Sequence, residues 1–323
     1  MSSKTSIEWT RGEDGSAGRT WNPLLGCERV SPGCDGCYAI TTATIRAGNP
    51  HPKVAAAFAG LTERRDGRLD WTGRINLLPD RLTQPLSWRK PSKVFVNSQS
   101  DLFHKDVPDE FIAKVFAVMA ATPQHSYQLL TKRHGRMRSL LNNAEWRSSV
   151  FLRESLTGRA ENRPLPAWPL PNVWLGVSVE DQARAKLRVP ALLHTPAAVR
   201  WLSCEPLLGP VSLIPWLNGG VGTVAPADLD WVVVGGESGP RARPVHPDWA
   251  RALRDECIAA GVPYFFKQWG EWAPLVPGVN PGKEIRAYPG ALIQRVGKKA
   301  AGRELDGRTW DEYPTARTEA AAR

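Results

Sequence analysis

The sequence predicts an α/β protein built as a partial or complete parallel (β/α) barrel of about six to seven strands. Three observations carry that expectation. Short β-branched or aromatic runs recur along the chain, helix-like stretches separate several of them, and every run ends in a cluster of polar residues. Strands that alternate with helices pair in parallel, because a parallel neighbour is reached only through a long crossover. In parallel barrels the chemistry sits at the carboxyl ends of the strands, so six polar ends in one chain point to one shared site.

In chain order the strand-like runs are 93–97 (KVFVN), 127–131 (YQLLT), 173–177 (VWLGV), 199–203 (VRWLS), 231–234 (WVVV) and 263–267 (PYFFK), with a seventh expected at 22–26. Helices are expected over 109–121, where Phe111, Val115, Val118 and Met119 mark an apolar face, and over 247–260, where Trp249, Leu253 and Cys257 do so. The polar ends read NSQSD (97–101), TKR (131–133), SVED (178–181), SCEP (203–206), GGES (235–238) and KQW (267–269). Residues 1–290 are expected to form the barrel. Segments 46–73, 159–171 and 218–227 read as insertions from their Gly, Ala, Pro and charge content. Residues 291–323 form a C-terminal extension that packs back in part and frays at its Ala-rich end.

The chain of 323 residues is 42% hydrophobic and 23% charged, the composition of a folded globular protein. No run approaches the roughly 18 apolar residues of a membrane span, and the first fifteen residues carry no apolar signal core, so a cytoplasmic protein without membrane contact is expected. A net charge of +10 favours a polyanionic partner, nucleic acid first among them. Most of the 14 Trp read as structural anchors. No P-loop and no H-E-x-x-H motif is present.

Chemistry is concentrated in 22–39, NPLLGCERVSPGCDGCYA, where Cys27, Cys34 and Cys37 are spaced C-x6-C-x2-C. Three of five cysteines within eleven residues argue for ligands rather than disulfides. Thiolates suit zinc or an iron-sulfur cluster. A structural zinc site needs a fourth ligand, and neither His51 nor His104 stands at zinc-finger spacing from this group. In a cubane, three cysteines leave one iron open to a small molecule. Gly26, Pro32, Gly33 and Gly36 allow the backbone to curl tightly around such a group.

The segments NP-x-x-GC (22–27) and GC-x-x-CYA (33–39) resemble the cluster loop of the radical S-adenosylmethionine superfamily, especially its spore photoproduct lyase-like branch. That branch usually has three residues between the first two cysteines where this chain has six, and Gly36 stands where many members place an aromatic residue. The segments VNSQSDLFH, LLTKR, LGVSVED, SCEPLLG, VVGGESGPRARPVHPDW and FFKQWGEW also resemble a phage- and prophage-borne family known by its three-cysteine motif.

The resemblance implies a radical S-adenosylmethionine-like barrel holding a [4Fe-4S] cluster on Cys27, Cys34 and Cys37, with S-adenosylmethionine lying across the strand ends. The cofactor's carboxylate would then meet Lys132 or Arg133, its ribose or amine Asn97, Ser98 and Ser100, and its amine the acidic Glu180, Glu205 or Glu237. Cys204, beside Glu205, would be a hydrogen donor inside the substrate cavity, as the lyase branch uses a cysteine outside its cluster. Arg133, Arg136 and Arg138, and Arg241 with Arg243, would meet an anionic substrate. GGES is either a cofactor contact or a turn. The expected function is a radical enzyme modifying or repairing a nucleic acid or nucleotide, served by an external electron donor and an additional partner protein. The alternative is a non-catalytic iron-sulfur or zinc protein that binds nucleic acid.

Overall fold

The computed structural model of the chain describes residues 4–12, 14–155, 167–217, 229–275 and 284–314. Much of the expected 159–171 segment, all of the 218–227 loop and the chain end expected to fray lie outside the described residues.

Seven strands form the main sheet: β1 (Arg19–Trp21), β2 (Lys93–Val96), β3 (Ser126–Thr131), β4 (Val173–Ser178), β5 (Val199–Cys204), β6 (Trp231–Gly235) and β7 (Tyr264–Gln268). Their order in the sheet is their order in the chain. The pairs β1–β2, β2–β3, β5–β6 and β6–β7 are parallel. This is the α/β, barrel-like parallel arrangement the alternation predicts, and among the described residues no ladder joins β1 to β7. The seventh strand is not where the sequence reading placed it. Pro23 cannot donate to a ladder, so β1 stops at Trp21, and Leu24–Leu25 pairs antiparallel with Asn76–Leu77 outside the main sheet.

The chain divides into two compact units, one comprising Met1–Val30, Cys37–Gly176 and Thr195–Ala198, the other Ser31–Gly36, Val177–His194 and Val199–Arg323. The first contains α1 (Tyr38–Ala47), α2 (Pro52–Phe58), α3 (Asp109–Ala120), α4 (His134–Asn142) and α5 (Ala144–Ser155). Helix α3 begins with Asp109 and Glu110, which complement the positive end of its dipole. It buries Phe111, Ile112, Val115, Phe116 and Met119, and Phe116 meets Trp146 of α5 edge-on with centroids 5.3 Å apart. At and beyond its end the Asn172 amide donates to the Met119, Thr122 and His125 oxygens at 3.0, 3.4 and 3.1 Å and ties the chain that follows the helix.

Segment 46–73 carries α2 and a hairpin, Thr62–Arg65 with Arg68–Trp71. Val54, Phe58, Leu61 and Trp71 from it form a small core with Leu25, Ala39 and Ile40, and Cys27 and Cys37 pack against that core.

The second unit contains α6 (Gln182–Leu193) and α7 (Pro247–Ala260). Helix α7 is capped by the His246 ring, which accepts from the Asp248 N–H at 3.1 Å, and it ends at Gly261 with φ +67°. The described residues of the C-terminal extension pack within this unit: Phe266 N–H donates to the Trp310 oxygen at 2.9 Å, and Asp306 accepts from Arg251 and Arg254 of α7. Among the described residues no helix is long and apolar enough to cross a membrane.

Candidate metal centre

In the first unit Cys27 follows Gly26, whose N–H donates to the Gln99 oxygen at 3.3 Å just beyond β2. The NSQSD turn holds this stretch of chain. Ser98 donates to Asn22 Oδ1 at 3.2 Å, Ser100 to the Leu24 oxygen at 2.9 Å, and Asn97, at φ +62°, gives its amide to Ser100 at 2.9 Å. Of the three residues expected to meet a ribose or amine, Ser98 and Ser100 thus spend these hydrogen bonds on the cysteine segment and Asn97 supports Ser100. One acceptor remains: Asn97 Oδ1 is buried and has no hydrogen-bond partner.

Asp101 closes the turn and organises the end of β3. It accepts from Thr131 Oγ1 at 2.7 Å, Phe103 N at 3.0 Å, Lys132 N at 3.0 Å and Arg133 Nη1 at 3.0 Å. Arg133 in turn lies 3.7 Å from Cys27 Sγ and donates to the Glu28 oxygen at 3.1 Å. Burial works against the Arg133 charge, but Asp101 and Cys27 outweigh it and hold the guanidinium above its ordinary pKa. Burial pushes the Cys27 thiol up to about 12, against the pull of Arg133. His104, fully buried, faces Glu28 at 3.6 Å, and burial together with Arg133 holds its pKa below the ordinary value.

Several of the arginines expected to meet an anionic substrate make contacts within the fold. Arg133 is bound as described, Arg136 donates to the His104 and Val107 oxygens and to Asp109, and Arg243 is held by Glu237. Each arginine offers a fork of donors, and the fold uses them to close turns. Arg138 and Arg241 remain exposed.

In the second unit the segment Ser31–Gly36 carries Cys34 and is held by two acid–arginine pairs. Glu180, beyond β4, is fully buried; it accepts from Ser31 Oγ at 2.5 Å and from Arg188 of α6 at 2.9 Å. Glu237, beyond β6, accepts from Arg243 through both oxygens, at 2.9 and 2.7 Å, and Arg243 also donates to the Pro32 oxygen at 2.9 Å and faces Asp35 at 3.5 Å. Gly33 lies against Glu180 and Gly36 against Glu237, so a methyl group at either position would collide with the carboxylate. The GGES segment begins at the last residue of β6 and lies in tight contact with the chain after β7: a side chain on Gly236 would strike the Trp269 carbonyl. A third pair, Glu205 with Lys267 at 3.0 Å, sits at the ends of β5 and β7.

Cys204, expected as a hydrogen donor, lies in the sheet interior. It is fully buried in register with Val234, and the Cys257 thiol of α7 is close enough to add to the burial that raises its pKa well above the ordinary value. Alternation along β5 places Trp201 and Ser203 on the opposite face from Cys204.

Three participants escaped the sequence reading: Asp101 as the partner of Arg133, Arg188 as that of Glu180, and Lys267 as that of Glu205. Only Arg188 left a signal, since it shares the apolar face of α6 with Ala185, Val189 and Leu192.

A family model matches residues 4–314, nearly the whole chain. The chain belongs to the family described as protein of unknown function, DUF5131. No curated protein and no solved structure matches it. In this DUF5131 chain all five cysteines are free thiols, and among the described residues no three Cys, His, Asp or Glu side chains converge on a single metal ion. A cubane makes a different demand, because each thiolate binds its own iron. The donor set fits that demand in kind: soft sulfurs, a guanidinium beside Cys27 and close-packed glycines around Cys34.

Proposed function

We propose that this chain is an iron-sulfur, S-adenosylmethionine-dependent radical enzyme of cytoplasmic origin that acts on a nucleic acid or nucleotide, on a radical S-adenosylmethionine-like partial barrel. The observation that carries the reading is the C-x6-C-x2-C segment, whose first cysteine is met by a half-buried arginine. Cys27, Cys34 and Cys37 would hold a [4Fe-4S] cluster, and such a cluster with bound S-adenosylmethionine supplies a radical that removes hydrogen from a substrate.

The chain's own residues bind and orient. Arg133 donates toward Cys27 Sγ and offsets thiolate charge, which favours the deprotonated form a metal needs. Asn97 Oδ1 offers a buried acceptor suited to the cofactor's amine. Lys132 stands at the end of β3 as the cation for its carboxylate. The nucleic-acid reading rests on the charge of +10 and on exposed Arg138 and Arg241, since Arg133, Arg136 and Arg243 are committed within the fold. An external electron donor follows from the chemistry.

Anaerobic reconstitution with iron and sulfide tests the proposal. A brown protein whose reduced electron paramagnetic resonance spectrum changes with S-adenosylmethionine, and which releases 5′-deoxyadenosine, is expected. Cys27→Ala, Cys34→Ala and Cys37→Ala should each lose iron, and Cys257→Ala should keep it. A colourless protein holding zinc would overturn the enzyme reading in favour of a metal-bearing nucleic-acid binder.

A further inference from the structure

Glu180 and Glu237 have the look of cofactor acceptors when only the sequence is in view, because both are acidic residues at strand ends. Their surroundings assign them elsewhere. Glu180 accepts from the cysteine loop and from a buried arginine: Ser31 Oγ at 2.5 Å on one oxygen and Arg188 Nη1 at 2.9 Å on the other. Arg188 is itself buried and tied to the Ser178 oxygen at 2.7 Å. Glu237 is gripped by the backbone N–H of Arg243 at 2.8 Å as well as by its guanidinium. That guanidinium reaches on to the Pro32 oxygen and toward Asp35. The loop is therefore grasped at Ser31, Pro32 and Asp35, on both sides of Cys34. Gly33 and Gly36 lie directly against the two carboxylates, where a side chain would collide with them.

We infer that Glu180–Arg188 and Glu237–Arg243 are positioning pairs that hold the Ser31–Gly36 loop and fix the place of Cys34, rather than groups that contact cofactor or substrate. The purpose of that positioning rests on the cluster reading above; the positioning itself does not. A carboxylate paired with an arginine and short of water is a stiff anchor, since breaking one hydrogen bond leaves a buried charge incompletely satisfied. Two such anchors, one beyond β4 and one beyond β6, place Cys34 on rigid elements rather than on a free loop. Glu205, whose ion pair is with Lys267 of β7 and not with an arginine that reaches the loop, serves as the control.

The test is site-resolved alkylation by iodoacetamide of the full-length, reduced and metal-free protein, with each cysteine read by mass spectrometry. Cys34 is nearly buried, and Cys204 and Cys257, fully buried in the same unit, report on the integrity of that unit. Ser31→Ala removes one bond to Glu180 without altering charge, and Gly36→Ala displaces Glu237. Loss of a hydrogen bond to a charged group should raise the rate at Cys34 about ten- to hundredfold through local opening. Cys204 and Cys257 should stay protected, and Ser31→Thr, which keeps the hydroxyl, should return Cys34 to the wild-type rate. Glu205→Gln should leave the Cys34 rate unchanged. Cys34 rates within about twofold of wild type in both Ser31→Ala and Gly36→Ala would overturn the inference. So would a parallel rise at all three cysteines in both variants, which would mark a general loosening. Because no metal is present, failure of the cluster proposal leaves this result standing, and the reverse also holds.

Discussion

Replacing Arg133 with Met keeps much of the stem's bulk and removes the guanidinium that joins Asp101, Glu28 and Cys27. The Arg133 and Asp101 side chains are 13% and 7% exposed, so the ion pair is shielded from solvent and from salt. Removing one partner of a buried pair costs about 3–5 kcal/mol. Asp101 keeps its bonds from Thr131, Lys132 and Phe103, which places the expected loss near the lower end, about 3 kcal/mol. Asp101→Asn disturbs the same pair from the other side. The two changes should therefore couple by about 2 kcal/mol in a double-mutant cycle measured by urea unfolding. A coupling below about 0.5 kcal/mol would refute the claim that this pair organises the turn. The same variant tests the link to Cys27. Without Arg133 the thiol moves still further above its ordinary pKa, so iron uptake on reconstitution should fall below wild type.

If exposed cations contact nucleic acid, affinity for single-stranded DNA should drop steeply as salt rises from low to physiological levels. Arg138→Gln and Arg241→Gln together should flatten that dependence in a fluorescence-anisotropy titration, and an unchanged salt slope would count against the polyanion reading. Asp306 is bonded to Arg251 and Arg254, and those bonds draw its pKa from 3.8 down to about 2. A carboxylate with a depressed folded pKa stabilises the protein above its unfolded value, and the gain disappears as pH falls toward the folded one. Wild type should thus exceed Asp306→Asn in thermal stability at neutral pH, with the difference closing between pH 3.8 and about 2; a difference that persists at lower pH would show that charge is not its source.

The sheet strands other than β1 and the two expected helices were legible because each rests on local pattern. A run such as WVVV is buried on both faces in a parallel sheet, and the spacing of Leu253 and Cys257 follows one face of a helix whatever surrounds it. The cysteine segment was legible for a similar reason, as three thiols within eleven residues form a local feature. Asn22–Gly26 misled because its apolar Leu24 and Leu25 suit any ladder, and only the partner, Asn76–Leu77, decides that the ladder is a separate antiparallel one.

Charge partners belong to another category. Nothing in the order of residues distinguishes an arginine that meets solvent from one that closes on a carboxylate: Arg138 and Arg136 stand two positions apart on α4, yet one is exposed and the other is bonded to His104, Val107 and Asp109. Nor does sequence say which face of β5 looks toward α7, and that choice put Cys204 beside Cys257. From its sequence alone this protein determined six of its sheet strands, two of its helices and the clustering of three of its thiols, since short-range periodicity and spacing specify them. Tertiary structure alone decided that Glu180, Glu237 and Asp101 meet arginines, because an ion pair between residues distant in the chain exists only once folding has brought them within reach and excluded the water that would otherwise solvate them.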